Sequence, residues 1–475
     1  MEVQNPTIDK AMSQVNLSPS KGFFVNMLTR DIELDDSILD LVDNCVDGAM
    51  RNNIKKTKND NPYKGYLVDI TINGENFIIE DNCGGIPLGI AKNYAFRLGR
   101  SPDTPSDDGL ATVGMYGIGM KRAIFKMGQH AIVSSKTITD SFSVIFTEEW
   151  LIDDNSWEIP MVPMIDKIEG VGTRIVISDL SSGVRHDFSG KTAFVENLTK
   201  KVGEHLGYII EKGLRIRIND IVVKPKKISF LFDYNAKEGT GLAPYVYKGT
   251  YNDVNIELLV GLYRNLPEES ELESAENGDL GSPESDIAGW TVICNDRVIY
   301  YADKTMRTGW GEAGVPKYHT QFVSIAGIVK FYTNKPEQLP VGTTKRTIEG
   351  NSEIYLITKN FMREGLKCFT NYTNKWKIDI EGEKENKQKA EVVSEKEIVK
   401  YFLEETALMK KIGDSGKRYL PRLPIPKEAN KKIMIRFSKP KEEIDKVSKI
   451  VYDNYDASPS DVGAKCFEIV LRGKR

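Results

Sequence analysis

Asp40, Asn44 and Asp47 stand at i, i+4 and i+7, a spacing that brings two carboxylates and a carboxamide onto one stripe of a helix. Asparagine is a weak helix former, but its side-chain oxygen is a good ligand for Mg²⁺. Further on, Gly114, Gly117 and Gly119 punctuate a loop that runs into Met120-Lys121-Arg122-Ala123. Bare backbone amides opening a helix make an anion site, so this loop can wrap phosphates. Between the two lies Glu80-Asp81-Asn82-Cys83-Gly84-Gly85-Ile86-Pro87. Its aspartate is an acceptor-only side chain that can take a hydrogen bond from the amino group of a base. Gly84 and Gly85 let the backbone come close. A Mg²⁺ ligand, a base acceptor and a phosphate loop together outline a nucleotide pocket.

Each piece must be positioned by an element, and each also has a plainer reading. On a 100° wheel, Ile38, Leu41, Val42, Cys45 and Ala49 oppose Asp40, Asn44 and Asp47. That is equally the pattern of an amphipathic helix with a wet polar face. Asp35 or Asp36 is placed to cap its start. Tyr66 to Ile72 alternates as a strand, Asn73-Gly74 is a hairpin turn, and Phe77-Ile78-Ile79 returns. Asp81 therefore leaves the end of a buried strand, where an ordinary Asx turn is the alternative to base reading. The glycine loop is not the dinucleotide fingerprint, since no strand feeds it, nor a P-loop, since no Gly-Lys-Ser/Thr follows. Upstream, Arg97 to Ala111 is polar and broken by Pro and Gly; it reads as a mobile flap.

In this order the segments resemble the Bergerat-fold (GHKL) ATPases, the superfamily of DNA gyrase B, mismatch-repair MutL, related heat-shock chaperones and microrchidia-type ATPases. The resemblance implies ATP and Mg²⁺ as ligands. It makes Asn44 the Mg²⁺-binding asparagine, Asp47 its acidic companion, and Asp81 the adenine-reading aspartate, with Gly85 the second glycine of that motif. Gly114, Gly117 and Gly119, with Lys121, become the phosphate loop, and Arg97 to Val113 the ATP lid. A fourth motif, Gly170-Val171-Gly172-Thr173-Arg174, enters a strand where the family carries an adenine-side threonine, so Thr173 is the match. In Leu339 to Arg346, Lys345 fits the lysine that the family's transducer domain extends to the γ-phosphate. Arg346 is the other candidate, and a plain cationic surface loop the alternative.

Two positions depart from the family pattern. Its general base is a glutamate four residues before the asparagine, and here that position is Asp40. One methylene fewer withdraws the carboxylate by roughly 1.5 Å, half of a general base's hydrogen-bond reach. The resemblance assigns catalysis to Asp40 and Lys345 and leads to an expectation of slow turnover. Cys83 replaces the first glycine of the aspartate motif.

The 475 residues, 40% hydrophobic and 28% charged, suffice for two or three domains with real cores. No apolar run approaches the ~18 residues that cross a bilayer, so no membrane is expected. Met1 to Lys10 has no signal-peptide core. Five scattered cysteines show neither zinc spacing nor a disulfide framework. A cytoplasmic or nucleoid-associated place follows as the expectation. Residues 268–286 carry eight acids and no base, an acidic insertion. Lys410 to Lys441 carries eleven bases and two acids, with Tyr419 and Phe437 interleaved. That tract is either a solvated face or a contact to double-stranded DNA through phosphates.

The expected architecture is a two-layer α/β Bergerat ATPase domain over 1–190, an α+β transducer over 191–375 and a small basic C-terminal module over 376–475. The transducer should hold strands at 255–263, 290–301 and 323–332 and a helix from about 351 to 372. The resemblance implies an ATP-operated switch that closes as a homodimer on ATP and acts on DNA. Any nuclease-like effector would be a separate protein, since no such motif is visible here. The alternative is a chaperone-like or assembly ATPase with a protein client. A histidine kinase is disfavoured, because too few residues precede the helix to hold a phosphoacceptor helix.

Overall fold

The computed structural model describes residues 20–53, 61–99, 110, 112, 117–154, 156–235, 241–269, 271–272, 286–342, 345–386, 389–405, 408–413, 416–426, 435 and 437–473. They form two compact units that divide between Pro426 and Lys427.

The first unit opens with α1 (Lys21–Arg30) and α2 (Leu34–Asn52). The apolar residues expected on one face of α2 are all buried in a common core. β1 (Leu67–Ile72) and β2 (Phe77–Asp81) make the expected hairpin. Its turn closes where the Asn73 side chain accepts from the N–H groups of Glu75 and Asn76 at 2.9 and 2.8 Å. Helix α3 (Gly119–Met127) then leads into β3 (Gly128–Lys136), β4 (Ser141–Phe146), β5 (Met161–Val162) and β6 (Gly172–Leu180). Helices α4 (Phe194–His205) and α5 (Gly207–Glu211) precede β7 (Arg215–Ile218) and β8 (Ile221–Val222).

These strands form one eight-stranded sheet in the order β5-β4-β3-β6-β2-β1-β7-β8. Its pairs are antiparallel except β1 with β7. The hairpin at 215–222 thus completes the first sheet, and the expected boundary at 190/191 falls inside that layer. The physical reason is packing. Ile216 and Ile218 are fully buried in the same core as Val68 and Ile70, and Asn219 and Asp220 turn the chain with φ of 46° and 66°.

The second sheet contains β10 (Tyr245–Tyr251), β11 (Val254–Leu262), β12 (Gly289–Cys294), β13 (Arg297–Asp303) and β14 (Ile325–Tyr332). A separate pair joins β9 (Ser229–Phe232) to β15 (Glu391–Ser394). Helix α6 (Glu353–Trp376) shares a core with one face of the second sheet. The β9–β15 pair and α7 (Glu395–Glu404) share a core with the other. β16 (Lys410–Ile412) and β17 (Gly416–Tyr419) finish the sheet, whose order is β13-β12-β14-β11-β10-β17-β16.

Two expectations change here. The run 290–301 is a hairpin and not one strand, turning at Asn295 and Asp296 with φ of 47° and 68°. Residues 391–419 belong to the layers of the second sheet, so the last unit starts at Lys427 and not at 376. Val393, Ile398 and Phe402 are buried there, and that apolar surface outweighs the Lys/Glu alternation of the preceding stretch.

The last unit holds α8 (Lys441–Tyr452) and α9 (Pro459–Arg472). Ser458 caps α9 by accepting from the N–H of Asp461 at 3.1 Å. Most of the acidic insertion 268–286 lies outside the described residues. Among the described residues, no helix is long and apolar enough to cross a membrane.

Candidate nucleotide site

Asp81 ends β2 directly opposite Thr173 at the start of β6. Its Oδ1 accepts from the N–H of Cys83 at 2.7 Å, an Asx turn. Its Oδ2 accepts from the Cys45 thiol at 3.4 Å. Burial pushes the carboxyl up to about 6, outweighing the donors from Cys83, Cys45 and the Thr173 backbone. Burial and the Asp81 charge also raise both thiols, so the cysteines stay protonated and serve as donors. Each carboxylate oxygen has more than one lone pair, so the turn and the reading of a base are compatible. Two glycines allow this crowding. A Cβ at Gly85, whose φ is +74°, would stand 2.4 Å from the Lys136 carbonyl oxygen, and one at Gly172 would stand 1.8 Å from that of Asp81. Asp81, Gly85 and Thr173 are therefore brought close to one another.

The polar stripe of α2 is not the wet face that its pattern allows. Asn44 is exposed, yet Asp40, Asp43 and Asp47 are 3%, 1% and 2% exposed. Asp40 Oδ2 is paired with Arg122 Nη2 of α3. A Cβ at Gly119 would lie 3.4 Å from the same oxygen, so the N-terminus of α3 abuts the Asp40 carboxylate. Asp43 Oδ1 meets Arg297 Nε at 2.8 Å, and its Oδ2 meets Lys345 Nζ at 3.2 Å. Arg297 is fully buried and also donates through Nη1 to the carbonyls of His205 and Val298. One turn earlier, Asp36 pairs with Arg346 Nε at 2.8 Å and Lys201 Nζ at 2.7 Å. Asp35 joins Lys201 at 2.5 Å. Neither acid is the N-cap of α2, which is Glu33 without a side-chain bond; Asp35 Oδ1 instead accepts from the N–H of Asp36 at 2.8 Å, inside the first turn.

These charges hold one another. Burial alone would raise Asp43, but Arg297, Lys345 and Arg346 bring it down to about 2. Burial alone would lower Lys345, but Asp43, Asp40 and Asp47 hold its ammonium above the ordinary lysine value. Burial and the Arg297 charge press Arg346 down to about 10 against the pull of Asp36, Asp43 and Asp40. Burial and Arg297 also hold His205 well below the usual histidine range, and its Nδ1 lies 2.8 Å from the Val298 carbonyl oxygen. Lys345 sits at φ +55° in a turn closed by its own N–H to the Gly342 carbonyl at 2.9 Å.

At the candidate phosphate loop, Gly117 and Gly119 flank the start of α3. Lys121 is 3% exposed, and its ammonium bonds to the carbonyls of Ala95, at 2.8 Å, and Gly117. Burial lowers it to about 8. It ties the base of the flap to the loop. Gly114 and most of the flap lie outside the described residues. At the flap's far end, the Thr112 carbonyl accepts from Asn295 Nδ2 at 3.2 Å.

Three residues of this constellation escaped the sequence reading: Asp43, Arg122 and Arg297. Asp43 continues the stripe of Asp36, Asp40 and Asp47 by a three-residue step, which was a usable signal. Arg297, a lone cation in the apolar run Val292 to Tyr301, was another. Nothing local marked Arg122.

Residues 32–170 match the family model described as histidine kinase-, DNA gyrase B-, and HSP90-like ATPase. No curated protein matches the chain. The matched segment contains α2, Asp81 and the start of α3, and it ends just before Thr173. With that site geometry, residues 32–170 form a GHKL-type ATPase domain, a family whose activity is ATP binding with hydrolysis-coupled switching.

Proposed function

We propose that the chain is a Mg²⁺-dependent ATP switch in which the second sheet acts as transducer and reads the nucleotide through α2. The observation that carries this is the bridge from Asp43, the residue before Asn44, to Arg297 and Lys345. A terminal phosphate held by the α3 N-terminus competes with Asp43 for the Lys345 ammonium; ADP offers no such competitor. ATP thereby gains a differential affinity for one arrangement of the two sheets, which a switch requires. The left-handed backbone of Lys345 supports the reading, because strain of this kind collects at functional sites.

In this scheme Asp81 and Thr173 hold adenine, and Gly114, Gly117 and Gly119 cradle phosphates. Asn44 offers the protein's oxygen to Mg²⁺, which shields phosphate charge. Among the described residues no three His, Cys, Asp or Glu converge on a metal site. Asp47, buried one turn on, supports the helix electrostatically. Asp40 accepts the proton of the attacking water, and its short arm keeps turnover slow.

The switch closes as a homodimer and acts on DNA, in the manner that the resemblance to microrchidia and MutL ATPases implies. Lys410, Lys411 and Lys417, exposed on β16 and β17, are the support within the described part of the tract 410–441. Arg418 is not free for phosphate, being paired with Glu364. A second reading, a protein client or partner, draws on the last unit. There Ile450, Val470 and Leu471 are 82%, 63% and 64% exposed.

Asp40→Asn should retain ATP binding in calorimetry and lose turnover, the signature of a group that acts in the transition state. Limited proteolysis should show the flap protected by a nonhydrolysable ATP analogue and not by ADP. Equal protection by both would refute the switch. Duplex DNA binding by fluorescence anisotropy should weaken steeply with salt; no binding in either nucleotide state selects the protein client.

A further inference from the structure

Arg122 occupies an unusual position for a buried cation. It lies one turn into α3, with Gly119 at the helix start and Asp40 across from it. Its residue is 6% exposed. A guanidinium has five N–H donors and no acceptor. The Arg122 fork spends Nη2 on Asp40 Oδ2, while its Nε, also buried, has no partner among the described residues. An unsatisfied buried donor costs about 1–3 kcal/mol, more when charged, so an acceptor belonging to the working complex is called for. That acceptor must approach beside Gly119, which lacks a side chain where a Cβ would stand 3.4 Å from the same carboxylate oxygen. The amides at the N-terminus of α3 attract anions to that point.

We propose that Arg122 is shared between Asp40 and the terminal phosphate of a bound nucleoside triphosphate. This rests on the ATPase reading above and adds to it a second charged group at the reacting centre. Without nucleotide, Arg122 holds the Asp40 carboxylate in place. With ATP bound, its spare donor takes a γ-phosphate oxygen, and its bond to Asp40 loosens enough to leave one carboxylate oxygen for the attacking water. Water oxygen then bonds to the γ-phosphorus as the bond from that phosphorus to the β,γ-bridging oxygen breaks. The electron pair departs with ADP, and Asp40 takes the water proton before returning it to solvent. The arginine thus supplies positive charge where negative charge builds, and it compensates for a base one methylene short. In this model Asp40 and Arg122 are one functional unit.

The test uses the full chain and three variants, Arg122→Lys, Arg122→Gln and Asp40→Asn, with ADP affinity as the check on folding. Loss of one preorganised donor typically costs on the order of 10²–10³ in turnover. Arg122→Lys keeps the charge opposite Asp40 and loses the fork. It should bind ADP within about twofold of the wild type, yet lose turnover by about 10²–10³-fold at saturating ATP. Arg122→Gln should behave likewise, and added methylguanidine should restore part of its rate, which a purely structural role would not allow. The preference for an ATP analogue over ADP should also fall in both variants. If the wild type and Arg122→Lys turn over within threefold of one another while Asp40→Asn is silent, Arg122 has no such role and the ATPase reading stands. If the wild type neither binds nor hydrolyses ATP, both fail together.

Discussion

Replacing Asp81 with Asn should make the protein more stable and a poorer binder of ATP. Burial moves this carboxyl from 3.8 to about 6. A carboxyl with a raised folded-state value favours its protonated form. Its contribution is therefore fully favourable below pH 3.8 and is lost as pH rises through 6. At about 1.36 kcal/mol per pH unit, the ionised Asp81 costs on the order of 3 kcal/mol at pH 7. Asparagine removes the charge and keeps an oxygen for the Cys83 N–H. Its NH₂ group, however, faces the Cys45 thiol or the Thr173 N–H, both donors, and a mismatched pair gives back about 1–2 kcal/mol. The net expectation is a gain of about 1–2 kcal/mol at pH 7.

Denaturant titrations of the nucleotide-free protein at pH 7 and pH 4 would measure this. The advantage of Asp81→Asn should shrink or reverse at pH 4, where the wild-type carboxyl is already protonated. Calorimetry at pH 7 should show ATP affinity reduced by about 1.5–3 kcal/mol or more, roughly 10- to 150-fold, because a donor now faces the adenine amino group. A stability difference identical at the two pH values would refute the electrostatic reasoning. Unchanged ATP affinity in the folded variant would remove Asp81 as the reader of the base.

Other expectations follow from the same site. Asp43→Asn should destabilise the first unit by about 2–3 kcal/mol at pH 7, from a carboxyl brought from 3.8 to about 2. Because the folded value is depressed, the difference is present above pH 4 and fades as pH falls toward 2, which a pH series of denaturant midpoints can follow. Lys345→Ala should erase the contrast between ATP analogue and ADP in flap proteolysis while leaving ADP affinity intact; a preserved contrast would assign the reading of the γ-phosphate elsewhere. Asn44→Ala should weaken Mg²⁺-ATP in calorimetry and spare a magnesium-free adenosine ligand, and equal losses for the two would deny it the metal. Charge reversal of Lys410, Lys411 and Lys417 should flatten the salt dependence of duplex binding by about one unit per lost phosphate contact.

Much of the arrangement around Asp81 was legible because local chemistry dictates it. The Asn73-Gly74 turn fixes the β1–β2 hairpin, and the hairpin delivers Asp81; Thr173 then follows from strand register. The α2 pattern also gave the right helix, but its polar face was misjudged. Periodicity says which side of a helix is polar and not what covers it, and here cations from α3, α4, β13 and the Lys345 loop cover it. Those partners lie far from α2 in sequence, so their arrival depends on tertiary packing alone. The domain limits failed for a similar reason. β7 and β8 return to the first sheet, and β15 to β17 return to the layers of the second. Short edge strands carry too few apolar residues to announce which core they complete.

Buried ion pairs tie α2 to β13 and the Lys345 loop, and this choice suits a switch. Apolar contact is non-directional and persists through small displacements. A buried ion pair contributes little net stability when satisfied, but removing one partner costs about 3–5 kcal/mol. The joint is therefore close to neutral in one register and strongly unfavourable in others. Asp43 with Arg297 and Lys345 has two cations for one carboxylate, so one of them can leave without stranding the acid. Lys345 is the one on a strained loop, whereas Arg297 is fixed by two backbone carbonyls as well. The geometry thus divides the labour: Arg297 keeps the Asp43 charge compensated, and in the proposed switch Lys345 is the cation that answers the nucleotide.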